Sequence, residues 1–383
     1  MKSKEELLAA VDQMAPIVEA NFMALDTERT LPKALVDALE QSGLLMMSAP
    51  KAVGGSELNL LDQYEVYKAV GYLDGSLCWT MMTTGTSISW PAGYLSDEAA
   101  NVLYFGERIP RVSTSVLPAG TAVKVANGYR LNGRWGFASG VFHAEWLLAG
   151  GMLELEDSDQ KQRMFFMFPA ADATIIDNWH AAGLRGSGSG SFEVNDLFVP
   201  EHFSWAFDAK LRRPTQLHKL GLMGFVINEH PGLALGVARR ALDEITKIAV
   251  NTSSRFRGKG LADREVFQNQ LAIHELRWQA ADALAKDIFK KLWGTVVEED
   301  STGPSDKELA QARAAGTFIS KEAIENTSFA FRLGGGRAIM EDHILQRCLR
   351  DIQAVSQHFL TSGVSYENYG KFLVDHPEAN LRG

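Results

Sequence analysis

Three places in this 383-residue chain join residue types and spacing that point toward chemistry. The first is His358. Arg347, Asp351, Ala354 and His358 recur at spacings of four, three and four, which puts them on one face of a helix, late in its run. An aspartate two turns below a histidine suits a buried polar line. The same spacing describes a solvated face with an ordinary Arg–Asp pair, and spacing alone favours the solvated face. The second is Ser139, in the run Trp135-Gly136-Phe137-Ala138-Ser139-Gly140. Aromatic faces beside a hydroxyl suit a flat heteroaromatic ligand. Periodicity alone favours a core Trp and Phe followed by a turn serine. The third is Gly183-Leu184-Arg185-Gly186-Ser187-Gly188-Ser189-Gly190. A dinucleotide fingerprint needs a strand before it and a helix after it. Here a strand pattern follows (Phe192, Val194, Leu197, Val199), so a Rossmann site is rejected and a flexible turn between strands is expected.

Other chemistries find little support. Among the nine histidines, no two stand convincingly at metal-ligand spacing beside a carboxylate, so most are expected on the surface or as satisfied core groups. Cys78 and Cys348 are the two cysteines, too few for a disulfide framework and too far apart for a Cys-x-x-Cys zinc site. No Walker A, HExxH or nucleophile-elbow motif occurs. Net charge is −9, and Lys and Arg form no cluster dense enough to track phosphates, so a nucleic-acid role is not expected. Apolar runs such as Trp146 to Leu153 fall well short of the roughly 20 residues of a membrane helix. The start, Met1-Lys2-Ser3-Lys4-Glu5-Glu6, lacks the apolar core of a signal peptide, and a reducing cytosol is the expected compartment.

The elements that must position these residues fall into three blocks. Residues 1–108 read as helical. Leu7, Leu8, Val11, Met14, Ile17, Val18 and Phe22 keep helical spacing. Pro32 suits the first turn of a second helix and Gly43 its stop. Further helices are expected over Leu60–Tyr72 and Ser76–Ser89. Residues 109–212 change texture, with short alternating runs and hairpin signals at Asn127-Gly128 and Asn132-Gly133. An antiparallel sandwich or barrel is expected there. Residues 213–383 are helical again, with long patterns over Asn228–Ile248, Arg264–Leu292, Asp306–Phe331 and Ile339–His358, enough for a four-helix bundle. The fold class is α+β, mostly α. Helices, then strands, then helices is not the alternation of a βαβ sheet.

That order resembles the acyl-CoA dehydrogenase fold. The resemblance is carried by Leu31-Pro32, Leu39, Ser42-Gly43-Leu44, Pro50, Gly54-Gly55, Asp74-Gly75-Ser76 and Trp79. It continues through Leu131-Asn132-Gly133, Ser139-Gly140, Ala144-Glu145-Trp146, the glycine run from Gly183 to Ser189 and Phe198-Val199-Pro200, to Gly334-Gly335-Gly336 and Arg350-Asp351. Each motif is weak alone; together, in order, they span nearly the whole chain. The family's dehydrogenases commonly carry a catalytic Glu shortly after the Arg-Asp pair. Here those positions are His358, Phe359 and Leu360, and Phe cannot accept a proton. Some of the family's dehydrogenases place the base on an earlier helix, where Glu244 is a candidate substitute, which keeps a dehydrogenase with a displaced base as an alternative.

Arg350-Asp351 followed by His358, Ser362, Tyr366-Glu367 and Gly370 resembles the second C-terminal type of this fold, that of two-component flavin-dependent monooxygenases. The resemblance implies reduced flavin (FMN or FAD) delivered by a separate NAD(P)H-dependent reductase. It also implies O2 as co-substrate, a C4a-hydroperoxyflavin, and a small, aromatic substrate, with N- or S-oxidation as variants. By matched position, Ser139 is expected beside flavin N5, with Ser113 and Ser115 as further ring-side contacts and His358 as the base. Trp79, Trp135 and Phe137 are the aromatic candidates for shielding the site from water. Arg255 or Arg257 is expected at the flavin phosphate, and Gly334 and Gly335 near a neighbour's cofactor in a homotetramer.

Overall fold

The structure is a computed structural model that describes residues 1–155, 160–251, 260–298 and 300–381. Its first block is helical. α1 (Lys4–Ala20) opens on a reciprocal cap between Ser3 and Glu6 and buries Leu7, Val11, Met14 and Val18. α2 spans Phe22–Thr27, and α3 (Lys33–Ser42) follows Pro32 and stops at Gly43, whose φ is +80°. α4 (Leu60–Leu73), α5 (Gly75–Ala92) and α6 (Asp97–Tyr104) are capped by Asn59, Asp74 and Ser96. α5 is buried on nearly every side, as its small and apolar residues require.

The strands form one sheet of seven among the described residues. They are β1 (Val112–Val125), β2 (Gly128–Ala138), β3 (Trp146–Glu154), β4 (Lys161–Pro169), β5 (Thr174–Ile176), β6 (Gly190–Pro200) and β7 (Ser204–Ala206), in the order β5-β6-β2-β1-β3-β4-β7. β1 and β2 make a hairpin that pairs Val125 with Gly128 around Asn127, whose φ is +63°. The sheet is mixed, where an antiparallel one was expected: β1 and β3 run parallel. After β2 the chain crosses back to the start of β1, where Arg111 O accepts from the Glu145 and Trp146 N–H groups. That anchor sets β3 beside β1 in the same direction.

The last block contains α7 (Gly221–Phe225), α8 (Glu229–Asn251), α9 (Glu265–Val297), α10 (Asp306–Leu333), α11 (Ile344–Val355) and α12 (Val364–Leu373). α8, α9, α10 and α11 are the four long patterns read from the sequence. α11 ends three residues before His358. The last carbonyls there meet the Thr361 hydroxyl, which donates to the His358 carbonyl at 2.9 Å and lies 3.3 and 3.4 Å from those of Ser356 and Val355. One core runs from the N-terminal helices through the sheet into α8 and α11, so residues from all three blocks meet around α5. Among the described residues no helix is long and apolar enough to cross a membrane.

Candidate functional site

Trp79 is the centre of the arrangement. On α5, Trp79, Thr83, Thr86 and Trp90 share a face, and Ser76, Thr80 and Thr84 share another. The indole N–H of Trp79 donates to Ser139 Oγ at 2.9 Å. Ser139 Oγ bonds Ser189 Oγ at 2.8 Å, which bonds Ser187 Oγ at 2.7 Å. Ser113 on β1 donates to the Ser139 carbonyl at 2.8 Å. All five residues are buried. The chain can turn immediately after Ser139 because Gly140 takes φ +72°, and its N–H bonds the Ser187 carbonyl at 2.8 Å.

The segment from Gly183 to Ser189 is therefore not the flexible turn expected. Gly183 lies so close to α11 that a Cβ there would stand 2.0 Å from the Arg350 carbonyl oxygen. The next residue, Leu184, donates its N–H to Asp351 Oδ1 at 2.7 Å. The Arg347–Asp351 face is likewise not solvated; both residues are 2% exposed. Arg347 bonds Asp74 at 3.3 Å and the Phe22 carbonyl at 2.5 Å. Asp74 in turn caps α5 through the Leu77 N–H. Burial, then the neighbouring Asp74, pushes the Asp351 carboxyl up. This ionic centre joins the start of α5, α11 and the glycine loop, which fixes Ser187 and Ser189 against Ser139.

The other side of Trp79 carries two imidazoles. Past the end of α11, His358 leads into a short 3-10 turn, and its Nδ1 accepts the Leu360 N–H at 3.4 Å. Its ring lies edge-on to Trp79 with centroids 5.5 Å apart. His230, in the first turn of α8, also lies edge-on to Trp79 at 5.3 Å and stacks on His358 at 4.5 Å, 21° from parallel. Burial pulls His358 down to about 4, and burial and the neighbouring His358 depress His230. Both rings are neutral at pH 7. Sequence reading did not single out His230 among the histidines, most of which were expected on the surface or as satisfied core groups. The signal it held was local: Asn228, Glu229 and His230 are three consecutive polar residues at the start of a helix whose following turns are apolar. All three are buried. Glu229 Oε1 accepts from Thr86 Oγ1 at 2.5 Å and from Tyr67 Oη at 3.5 Å, and burial pushes the carboxyl up to about 8.

The remaining candidates divide. Ser115 is buried two residues from Ser113 on the same strand face. Trp135 is 1% exposed, stacks on Phe192 and donates to the Gly150 carbonyl, so it packs inside the sheet layer rather than beside Trp79. An irregularity in the β2–β6 pairing between Trp135 and Ala138 turns Phe137 outward; it has φ +57° and is 78% exposed, edge-on to Trp179. Arg255 and Arg257 lie outside the described residues. Gly334 closes α10, and Gly335 has open space around its Cα. Glu244 is half-buried on α8, fifteen residues beyond Glu229, or about 22 Å along the helix axis. Phe359, where a dehydrogenase would place its Glu, tilts against His358 at 4.5 Å.

Helices, mixed sheet, helices, and a site assembled from all three define the class. The acyl-CoA dehydrogenase N-terminal domain matches residues 3–100 and the acyl-CoA dehydrogenase C-terminal domain, of the second type, matches residues 230–363. The chain belongs to the acyl-CoA dehydrogenase family. Its relatives include a flavin-dependent monooxygenase, oxygenase subunit HsaA, of Rhodococcus jostii, 29% identical over 91% of this chain and 92% of that one. Another is a pigment production hydroxylase of a Rhodococcus species, 24% identical over 98% of both. A solved structure of 3-HSA hydroxylase from a Rhodococcus species shares the fold, with a TM-score of 0.89 at 23% identity over 98% of both chains.

Proposed function

We propose that this protein is the oxygenase component of a two-component flavin-dependent monooxygenase that hydroxylates a small aromatic substrate. The observation that carries the reading is the His230–His358 pair, stacked on each other and edge-on to Trp79, where a dehydrogenase needs an ionised carboxylate. Among the described residues near that stack, burial pushes the carboxyl of Glu229 up to about 8, which disfavours its ionised form. Glu244 is too far along α8 to replace it. The hydroxylase and monooxygenase names of the relatives support the same reading.

The residues present fit a flavin ring. Ser139, Ser189 and Ser187 share two hydrogen bonds among three hydroxyl protons, so one donor is left over among these groups. Uncharged hydroxyl and N–H donors next to a flat indole suit a neutral heteroaromatic ring with nitrogen and oxygen acceptors on its edge. The donor left over among Ser139, Ser189 and Ser187 would meet that edge and Trp79 would cover it, with Ser113 holding the Ser139 carbonyl behind them. Reduced flavin bound there supplies the electrons for O2 activation. The protein's share is to orient substrate, exclude water and present protons at stated atoms. The Leu360 N–H occupies the His358 Nδ1 lone pair, so the neutral ring carries its proton on Nε2. His358 would then offer the site a hydrogen-bond donor on Nε2 in its resting form.

The finer features of the reading are a separate NAD(P)H-flavin reductase, a homotetramer with Gly334 and Gly335 near a neighbour's cofactor, and a cytosolic location. Anaerobic titration with reduced FMN and with reduced FAD tests the proposal. Reduced flavin should bind in preference to oxidised flavin, and Ser139→Ala should weaken it about tenfold, the worth of one hydrogen bond. FAD held tightly as purified and bleached by an acyl-CoA would establish the dehydrogenase instead.

A further inference from the structure

Helix α5 opens along one face only. From Gly75 to Ala92 every residue is buried except Thr83 and Thr86. Both lie on the face that carries Trp79, one turn and two turns further along the helix. A groove thus leaves Trp79 along α5 and runs about 10 Å, seven residues at roughly 1.5 Å each, to Thr86. The Thr83 hydroxyl is spent on the Trp79 carbonyl at 2.9 Å, inside α5 itself. The Thr86 hydroxyl points across the groove and donates to Glu229 Oε1 at 2.5 Å. Glu229 therefore marks the far end. It is 4% exposed, and while Oε1 takes the Thr86 and Tyr67 hydroxyls, Oε2 has no hydrogen-bond partner among the described residues.

The groove has no cation to offer. Among the described residues, no lysine or arginine acts on Glu229, His230 or His358, and burial keeps both imidazoles from charging. A carboxylate entering it would lose its hydration with no counter-charge to replace the water. Beside an ionised Glu229 it would also meet a like charge. An uncharged polar group faces neither cost. It meets Oε2, which donates when it carries the proton that burial favours and accepts when it does not.

We propose that Glu229 selects the substrate: the groove takes the side chain of an aromatic ring seated at Trp79, and Glu229 Oε2 hydrogen-bonds an uncharged polar end on it, a hydroxyl, ketone or amide, and turns away a carboxylate. The inference rests on the oxygenase reading for an aromatic substrate at Trp79, and it names the class within that reading, a neutral aromatic with a polar tail long enough to span two helical turns.

The test uses 5-phenylpentan-1-ol, 5-phenylpentanamide and 5-phenylpentanoate, which share one ring and one chain, and pentylbenzene, which has no polar end. Each is titrated calorimetrically at neutral pH into the full-length protein, flavin-free and anaerobically with reduced FMN. The alcohol and the amide should bind, and the carboxylate should bind at least about tenfold more weakly. Glu229→Leu puts an apolar side chain at the end of the groove. It should weaken the alcohol about tenfold and leave pentylbenzene bound at least as well as before. Glu229→Gln, whose amide also donates and accepts, should keep the alcohol within about threefold of the wild type. Equal binding of the alcohol and the carboxylate by the wild type would overturn the proposal, whether or not the Leu variant folds. So would no binding of any probe, an alcohol affinity that Glu229→Leu leaves unchanged, or an equal loss of the alcohol in the Gln and Leu variants. The predicted order of probes, dependent on Glu229, in a protein with no preference for reduced flavin would leave this inference standing and sink the oxygenase reading. A preference for reduced flavin without that order would do the reverse.

Discussion

Replacing Glu229 by Gln should remove a pH dependence of stability that the wild type carries. Glu229 is 4% exposed, and its Oε1 accepts two hydroxyls. Burial raises the folded carboxyl from 4.5 to about 8, with the Thr86 and Tyr67 hydroxyls pulling against it. A raised folded value means that the folded state keeps a proton which the unfolded chain releases. The contribution is therefore complete below about pH 4.5 and is lost as pH rises to about 8. One pH unit is worth about 1.4 kcal/mol, so between about pH 5 and pH 8 this group alone removes up to roughly 4 kcal/mol. Gln fills the same volume, keeps the carbonyl acceptor and carries no titrating proton. Urea unfolding followed by circular dichroism at about pH 5 and about pH 8 gives the comparison. The two proteins should be close at the lower pH, and Glu229→Gln should lead by about 3–4 kcal/mol at the higher. Other titrating groups, Asp351 among them, are common to both proteins and cancel in the difference. Parallel stability curves would show that Glu229 is ionised in the folded state and would refute the account of this interior.

Trp79→Phe removes the N–H that Ser139 accepts and trims the ring against which both histidines stand. Reduced-flavin affinity should fall about tenfold in an anaerobic titration, while the fold survives. Gly183→Ala places a Cβ 2.0 Å from the Arg350 carbonyl oxygen, a backbone atom that cannot step aside. A loss of about 2–4 kcal/mol is expected in urea unfolding, and a change below about 0.5 would mean that the loop is not pinned to α11. Arg347→Met leaves the buried Asp74 without its cation, whereas Asp26 keeps Arg350. It should cost about 3–5 kcal/mol by thermal or urea unfolding, more than any surface ion pair.

What the sequence made legible was local. The turn around Asn127-Gly128, the stop at Gly43 and the apolar period of α8, α9 and α10 depend on neighbouring residues, so the helical and β blocks could be read in order. The parallel pairing of β1 with β3 is a long-range choice, set by Arg111 receiving Glu145 and Trp146, and no local pattern encodes it. The site shows the same division. Arg347 and Asp351 share a helix face as their spacing implies, but their burial depends on Asp74, which lies 273 residues from Arg347. Helical spacing carried His358 onto that face too, whereas α11 ends at Val355 and His358 stands beyond it, edge-on to Trp79. Ser139 was singled out by its aromatic setting and its family position. Its hydrogen-bond partners come from α5 and from the loop at 187–189. His230 was passed over because nothing within a few residues of it reveals a second histidine 128 positions later in the chain.

The most direct measurement of the central claim is isotopic. The protein, a NAD(P)H-flavin reductase, FMN or FAD and a panel of small hydroxylated aromatics would be incubated under 18O2, and the products analysed by mass spectrometry. The account predicts a hydroxylated product carrying one oxygen atom from 18O2, formed only with both proteins present and lost in Ser139→Ala and His358→Ala. Reductase-dependent NAD(P)H consumption that yields only hydrogen peroxide, with no labelled product across the panel, would contradict it.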